Sequence, residues 1–425
     1  MMTSLQTLAF VLVVAAPSAA QDESRPLLVS GARVLAPDGG SWLEGRVLLI
    51  QDGRIARIAE EGSFTAPADA RVLRLDGTWL VPGLIDLHSH LLLHPYDEAP
   101  WADQVLKESL ELRTIRAVVA ARATLEAGFT TLRELGTEGA GYADVALRDA
   151  IASGIIEGPR IFAATRALVA TGCYGPSGFD PRWDVPKGAQ VADGALGVRI
   201  AVREQIAAGA DWIKVYADYR RKPGDASTPT YSQAELEAIV DEARSAGIPV
   251  AAHASTDEAI TRAVLAGVRT IEHGTGASAE VLELMRARGV VLCPTLTASE
   301  SMARYSGWKA GEPEHARIRA SRAMFARALA AGVTIGCGSD VGVFAHGENA
   351  RELELMVAYG MSPADALRSA TSVAADTLSR GDLGRITEGA LADLVVLTRD
   401  PLADVSALRA PLLVVQDGRV VFDRR

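Results

Sequence analysis

Six times along the chain, a stretch of helical periodicity ends in Gly and passes within one or two residues into a short apolar run. The joins read Ala127-Gly-Phe-Thr130, Ala208-Gly-Ala-Asp211, Ala246-Gly-Ile-Pro249, Ala266-Gly-Val-Arg269, Arg288-Gly-Val-Val291 and Ala331-Gly-Val-Thr334. Gly supplies the left-handed backbone that closes a helix, so each join marks a helix end followed by a strand. Apolar runs fall at 80–86, 130–133, 160–164, 212–215, 249–252, 270–271, 290–294 and 334–338. Helical periodicity is clearest over 232–246, 256–266 and 316–331. Repeated β-then-α units demand parallel strands with helical crossovers, and this many predict an α/β fold, a (β/α)8 barrel over residues 80–384. In such a barrel, catalytic side chains sit at the C-terminal ends of strands.

The two ends of the chain resemble each other. Residues 48–55 read Leu-Leu-Ile-Gln-Asp-Gly-Arg-Ile and residues 413–420 read Leu-Val-Val-Gln-Asp-Gly-Arg-Val. Asp-Gly between β-type runs predicts a hairpin. Residues 26–79 and 385–425 are therefore expected to form one small β-sandwich domain from both termini. Before it, an apolar run over 8–16 leads into Pro17-Ser18-Ala19-Ala20. Small residues at that spacing predict a signal peptide over 1–20, cut after Ala20, although no basic residue precedes the run. A periplasmic or secreted protein is expected, with no membrane attachment after cleavage. A net charge of −10 and the lack of a basic aromatic cluster give nucleic-acid binding no support. Three cysteines, Cys173, Cys293 and Cys337, do not indicate a disulfide framework.

Titratable residues gather at the expected strand ends. The first run closes on Asp86-Leu-His88-Ser-His90, and alternation along a strand turns the two imidazoles the same way. A His-x-His pair alone is a weak metal signal. Four further ends add weight: Lys214 after Asp211-Trp-Ile, His253 after Pro249-Val-Ala-Ala, His273 after Thr270-Ile-Glu, and Asp340 after Thr334-Ile-Gly-Cys-Gly-Ser. The chain has seven histidines, and four of them stand here. Lys214 is the unusual member, because a lysine in an apolar strand is rarely buried unpaired. Desolvation among cations depresses its pKa, and the neutral amine can add carbon dioxide to become a carbamate that bridges two metals. The other reading is a structural lysine paired with Asp211 or Asp218.

The run Val81-Pro-Gly-Leu-Ile-Asp-Leu-His-Ser-His90, with the later Lys, His, His and Asp, resembles the amidohydrolase superfamily, in its branch with two metals bridged by a carboxylated lysine. Gly384-Arg-Ile-Thr-Glu-Gly-Ala-Leu-Ala-Asp-Leu-Val395 is similar to that family's return strand. Ile213-Lys-Val-Tyr216, Ile271-Glu-His-Gly274 and the stretch from Gly338 to Asn349 resemble its secreted Xaa-Pro dipeptidase-like group. That group is related to imidazolonepropionases and includes enzymes that hydrolyse the amide of ochratoxin A. The resemblance implies two divalent ions, His88, His90 and Asp340 on one, His253 and His273 on the other, and Lys214 bridging as its carbamate. Zinc is the expected ion for nitrogen and oxygen ligands in a hydrolase. It also implies a tendency to assemble as a homo-oligomer.

The chemistry expected is attack on an amide carbonyl by a metal-bridging hydroxide, with Asp340 as both ligand and general acid/base and Lys214 as the second catalytic group. Two divalent ions against a carbamate, Asp340 and hydroxide leave one positive charge, which suits a small-molecule or dipeptide substrate bearing a carboxylate. Asp86 is a candidate anchor behind the ligands. The loop after the fourth run carries Tyr216, Tyr219, Arg220, Arg221 and Lys222 and ends near Tyr231, so Tyr216, Tyr219, Arg220 and Tyr231 are read as a substrate-binding rim; a solvated loop, with Tyr231 packing before an N-cap at Ser232, is the plainer reading. The long Gly- and Pro-rich loop 165–197 is a candidate lid, with Cys173 and Tyr174 facing substrate or packing the lid itself. His346, six residues beyond Asp340, is the best substrate-binding histidine outside the ligand set. His94 is expected at the barrel rim and His315 on a helix surface. The leading function is a dipeptidase or carboxypeptidase-type amide hydrolase, acting on proline dipeptides or N-acyl aromatic amino acids such as ochratoxin A. Alternatives are a cyclic amide or lactone hydrolase, and a binding protein on a degenerate barrel.

Overall fold

The structure is a computed structural model that describes residues 25–180, 182–222 and 224–425; the expected signal segment 1–20 lies outside them. The fold is mixed α/β. Strand Leu84–Ser89 pairs in parallel with Phe129–Glu134, which pairs in parallel with Arg160–Ala163. The Ala163 carbonyl then accepts the amides of Asp211 and Trp212 at 2.7 and 3.1 Å, reaching strand Ile213–Tyr216. From there Val250–Ala254, Thr270–His273 and Val291–Cys293 follow, each parallel to the last. Leu292 bridges Ile335, and Val341 bridges Ser89 of the first strand, so the pairing order returns to its start.

Two expected strands come out differently. The run 80–86 is divided between sheets: Trp79–Pro82 lies antiparallel to Leu394–Leu397 in a sheet of the chain ends, whereas Leu84–Ser89 belongs to the parallel set. Gly83 makes the switch, because a Cβ there would sit 2.2 Å from Thr130 Oγ1 and 2.8 Å from Asp393 Cβ. The run 334–338 makes single bridges instead of a continuous strand. Its glycines lie against the first strand, where a Cβ on Gly336 would be 2.6 Å from Leu87 Cδ1 and one on Gly338 3.0 Å from His88 Cβ.

Both termini supply two further sheets, ordered Arg54–Glu60, Arg46–Gln51, Leu27–Ser30, Arg71–Arg74 and Arg419–Asp423, Leu413–Gln416, Leu394–Leu397, Trp79–Pro82, Arg33–Leu35, Trp42–Leu43. Val29, Leu48 and Ile55 of the first share one buried apolar cluster with Leu80, Leu394 and Val415 of the second. The repeated Asp-Gly pairs are hairpin turns with positive φ at both central residues, 51° and 74° at Asp52-Gly53 and 48° and 76° at Asp417-Gly418, the conformation that matches strand twist. The two turns touch, since a Cβ on Gly53 would lie 3.2 Å from the Asp417 carbonyl oxygen. Arg160 ties this contact to the parallel strands through Asp393 at 2.8 Å and Asp417 at 2.6 Å.

The helices begin and end as their residues dictate. Gln233–Ser245 opens on a capping box of Ser232 and Glu235, and Asp257–Ala266 and Ala316–Ala331 close on Gly267 and Gly332 at φ of 98° and 67°. Ile85, Leu87, Ala251 and Cys293 of the parallel strands, with Ala164 and Trp212 beside strand ends, form one buried cluster with Ala374 and Leu378. Among the described residues no helix is long and apolar enough to cross a membrane.

Substituting Gly83→Ala is expected to destabilise the protein by about 1–3 kcal/mol through overpacking. Urea melts at equal metal content measure it, and an unchanged midpoint would show that Thr130 and Asp393 yield freely.

Candidate metal centre

His88 Nε2 and His90 Nε2 lie 3.6 and 3.3 Å from Asp340 Oδ1, and one ligand atom of each residue falls within 4.8 Å of the other two. The His88 ring is 5.2 Å from that of His90 and 5.3 Å from that of His273, and the His253 and His273 rings are 4.5 Å apart. The four imidazoles thus form one cluster, His88 and His90 buried against Asp340 and His253 and His273 half-buried beyond them.

Local backbone irregularities aim these side chains. Between Asp86 and Ser89 the first strand carries one residue more than its neighbour, pairing Asp86 with Leu132 and Ser89 with Glu134, so simple alternation does not hold there. On the sixth strand, Thr270 and Glu272 share a face, both reaching Arg133. Alternation would turn His273 away, but its φ of 70° brings it back beside His253. Asp340 likewise has φ of 63°. Positive φ at bulky residues is costly and concentrates at functional sites.

Three of the four rings are held by a partner on the far side. His88 Nδ1 is 2.8 Å from Glu272 Oε2, His90 Nδ1 is 2.9 Å from the Gly136 carbonyl, and His273 Nδ1 is 2.7 Å from Thr295 Oγ1. An Nδ1–H given to such acceptors leaves the Nε2 lone pair free for a metal. His253 differs, because its Nε2 faces Asp218 Oδ1 at 3.7 Å. Glu272 is itself fixed by the fully buried Arg133, which donates to its Oε1 at 2.8 Å, to Thr270 Oγ1 at 3.0 Å and to the Leu87 carbonyl at 2.6 Å. Burial by itself pushes the Glu272 carboxyl up, yet Arg133 and His88 outweigh it and hold it well below the usual range.

Lys214 is 1% exposed, and its Nζ has no hydrogen-bond partner. The proposed structural partners are engaged elsewhere: Asp211 with Arg148 at 2.8 Å, and Asp218 with the amides of Ser255 and Thr256. Burial lowers the amine's pKa, with Glu272 and Asp340 opposing. Burial also lowers His88 to about 3 and His273 to about 4, and puts His253 well below its ordinary value. His90 goes the other way: burial alone would lower it, but the Asp340 carboxylate lifts it to about 9. Asp340 is held well below the carboxylate range by His88, His90 and His273, against its burial.

The remaining expected residues separate into groups. Tyr216 stacks on His253 with centroids 4.7 Å apart, and Tyr219 meets Tyr216 edge-on at 5.9 Å. Arg220 is exposed and lies over the Tyr219 ring at 4.9 Å. Its loop folds as a small hairpin, Asp218–Arg220 with Ser227–Pro229. Tyr231 is not on a rim: it is 1% exposed in the large apolar core, and its hydroxyl donates to the Ala192 carbonyl at 3.0 Å, because the chain has turned inward to start the helix capped by Ser232. Cys173 is half-buried against that core. His346 has Nε2 3.0 Å from the Leu93 carbonyl and a buried Nδ1 without a partner. Asp86 binds the His88 amide, Ser339 and Asn349 Nδ2, and thereby anchors the segment that carries Asp340. His94 sits between Glu98 and Glu108, and His315 caps its helix.

Sequence reasoning missed Arg133, Glu272, Thr295, Glu138 and Trp101. Glu272 adjoins His273 in Ile271-Glu-His-Gly274, so a charged residue in an apolar strand was the available signal. Trp101 Nε1 donates to Glu138 Oε2 at 2.8 Å, a meeting between distant segments that no local motif announces.

His88, His90 and Asp340 form a group that could hold a metal ion, and the buried Lys214 amine stands in their electrostatic reach. Residues 79–421 match the amidohydrolase family model, and the chain belongs to that family. It is 30% identical to ochratoxinase of Aspergillus niger over 93% of this chain and 86% of that protein. A solved Xaa-Pro dipeptidase with methionine bound in its active site superposes with a TM-score of 0.83 at 32% identity, covering 93% of this chain and 99% of the other. A prolidase complexed with N-methylphosphonate-L-proline gives a TM-score of 0.81 at 34% identity, covering 94% and 100%. This chain is a hydrolase acting on amide bonds, of a family whose members are typically metal-dependent.

Metal ligands bind deprotonated, so a metal must displace the proton that His90 keeps below about pH 9, and affinity should rise with pH up to that value. Loading metal-free protein near pH 7 is expected to release about one proton from this histidine, read by calorimetry in buffers of different ionisation enthalpy. Replacing Glu272→Gln should weaken metal binding by about 10- to 100-fold through the freed His88 ring. The same change should cost about 3–5 kcal/mol of stability, because Arg133 loses its buried partner. Unaltered metal affinity in that variant would remove Glu272 from its orienting role.

Proposed function

We propose that this chain cleaves an amide or peptide bond next to a free carboxylate, on a (β/α)8 barrel whose strand ends hold two divalent ions. His88, His90 and Asp340 would hold one, His253 and His273 the other, and carboxylated Lys214 would bridge them. Zinc suits this set of nitrogen and oxygen donors. The observation that carries the reading is the Lys214 amine, buried and without a hydrogen-bond partner beside the imidazole cluster. An unpartnered buried amine is costly as it stands. As a carbamate it gains two oxygens and a negative charge: the neutral amine attacks carbon dioxide and releases one proton. The pairing round the parallel strands and the relatives with amide-cleaving names support the same reading.

Bound divalent ions polarise a carbonyl and activate water at neutral pH. The chain's own groups do the rest. Glu272, Gly136 and Thr295 keep the rings of His88, His90 and His273 oriented. Asp340, ionised at neutral pH, takes a proton from the attacking water and passes it to the leaving nitrogen, without which an amide anion cannot depart. Tyr216, stacked on His253, shields one side of the cluster from solvent. The substrate class that fits is a dipeptide with a free C-terminal carboxylate, Xaa-Pro among them, with N-acyl amino acids of the ochratoxin type as the neutral-nitrogen counterpart. Residues 26–79 and 385–425 would form the accompanying sandwich domain, and export through the 1–20 segment is part of the same proposal.

Replacing Lys214→Ala should lower kcat by more than about 100-fold, beyond the loss typical of an outer-shell residue, and short carboxylic acids should restore part of it. Exhaustive chelation should abolish turnover, and about two equivalents of zinc should return it. Full activity after chelation, or in the lysine variant, would refute the proposal, as would turnover of a lactone or cyclic amide with none of dipeptides or N-acyl amino acids.

A further inference from the structure

Glu138 is the buried charged group left without a task. It is 2% exposed, and its Oε1 has no hydrogen-bond partner. Its Oε2 accepts from Trp101 Nε1 at 2.8 Å and from the Tyr174 hydroxyl. The backbone is held in the left-handed region, with φ of 50°. The neighbouring cation does not satisfy the carboxylate: Arg113 gives its hydrogen bonds to the carbonyls of Leu92, Thr137 and Glu138 itself, which fixes the backbone and so the direction of the side chain. A strained, braced residue with one idle carboxylate oxygen is poised for something that binds.

That oxygen lies at the edge of the metal centre. A Cβ built on Gly136 would be 3.4 Å from Glu138 Oε1 and 3.8 Å from His90 Cε1, and the Gly136 carbonyl is what orients the His90 ring. Between the two stands a continuous aromatic wall: Trp101 against Tyr174 at 4.8 Å, Tyr174 stacked on Tyr216 at 4.4 Å, and Tyr216 on His253 at 4.7 Å. A carboxylate oxygen with open acceptor capacity is the group that takes an ammonium.

We infer that Glu138 is a specificity residue whose Oε1 receives the primary ammonium of the substrate, against the wall of Trp101, Tyr174 and Tyr216. This deepens the proposed amide-bond activity and rests on it. The ammonium has two possible sources, the α-amino group of a free dipeptide and the side chain of a lysyl residue. A neutral N-acyl substrate offers neither, so it leaves the carboxylate unpaired.

The test compares zinc-loaded wild type and Glu138→Gln on Ala-Pro, N-acetyl-Ala-Pro and N-acetyl-Lys-Pro. Wild type is expected to favour Ala-Pro over its acetylated form, and the variant to shrink that kcat/KM ratio by about 10- to 100-fold, mainly through KM. Should the side chain be the source, N-acetyl-Lys-Pro takes the place of Ala-Pro in the same comparison. Equal losses on all three substrates, or wild type indifferent to every amine, would overturn the inference. Trp101→Phe removes the indole donor and should shrink the same ratio by a smaller factor, which covers the case of a misfolded Gln variant; an unmoved ratio there also counts against it. Cleavage of none of the three by wild type would sink the activity reading itself, a result distinct from turnover without amine preference.

Discussion

The ligand cluster depends on an ion pair that does not belong to it. Arg133 and Glu272 are both fully buried, and together they tie the first, second and sixth parallel strands at the level of His88. A buried pair adds little net stability, since removing both charges from water offsets most of their attraction. Its consequence is geometric. Glu272 has one oxygen committed to Arg133, and the other meets His88 Nδ1, so the ring has one tautomer and one direction. His90 and His273 reach the same end with a carbonyl and a hydroxyl. The close charged acceptor thus falls to His88, one of the two inner rings in the series His90, His88, His273, His253.

Backbone strain does the remaining positioning. A strand shows alternate residues to one face, so Lys214 and His253 reach the site from regular strands, whereas a residue out of step with that alternation needs a local break to join them. The extra residue between Asp86 and Ser89 and the positive φ at His273 and Asp340 are such breaks. Each left-handed bulky residue costs about 1–3 kcal/mol. The surroundings hold them: the Asp340 amide donates to the His88 carbonyl at 2.8 Å, and Asp86 grips Ser339 beside it. Asp86 thus acts on the centre through the His88 amide and Ser339, as an anchor behind the candidate ligands.

What could be read from the sequence was whatever is periodic or local. Gly-terminated helices, Asp-Gly turns and the histidines at strand ends are encoded within a few residues, and they stand where the pattern put them. The sheet switch at Gly83 was hidden because one unbroken apolar run serves two sheets, and the reason for the glycine is Thr130, far along the chain. Tyr231 was misread for a similar reason: a tyrosine after a basic, aromatic loop resembles a binding residue, while its inward turn is decided by a partner at Ala192. Glu272 stood out only as a charge in an apolar strand, and Glu138 not at all, because the partners that hold each carboxylate, Arg133 for one and Trp101 and Tyr174 for the other, belong to other elements.

Charge then links the proposed activity to the inferred specificity. On the proposed centre, two divalent ions set against a carbamate, Asp340 and one hydroxide would leave a single positive charge, with Arg133 cancelling Glu272. A substrate carboxylate balances the centre. Glu138 stands outside that sum with its own negative charge and an idle oxygen. A zwitterion, carboxylate toward the ions and ammonium toward Glu138, leaves no buried charge alone, whereas an N-acyl acid satisfies only the first end. The difference between a dipeptidase and an N-acyl amino-acid hydrolase on this scaffold would then lie at the aromatic wall, at the edge of the proposed ligand set, and relatives with different substrates could share every metal ligand while diverging at the residue standing here as Glu138.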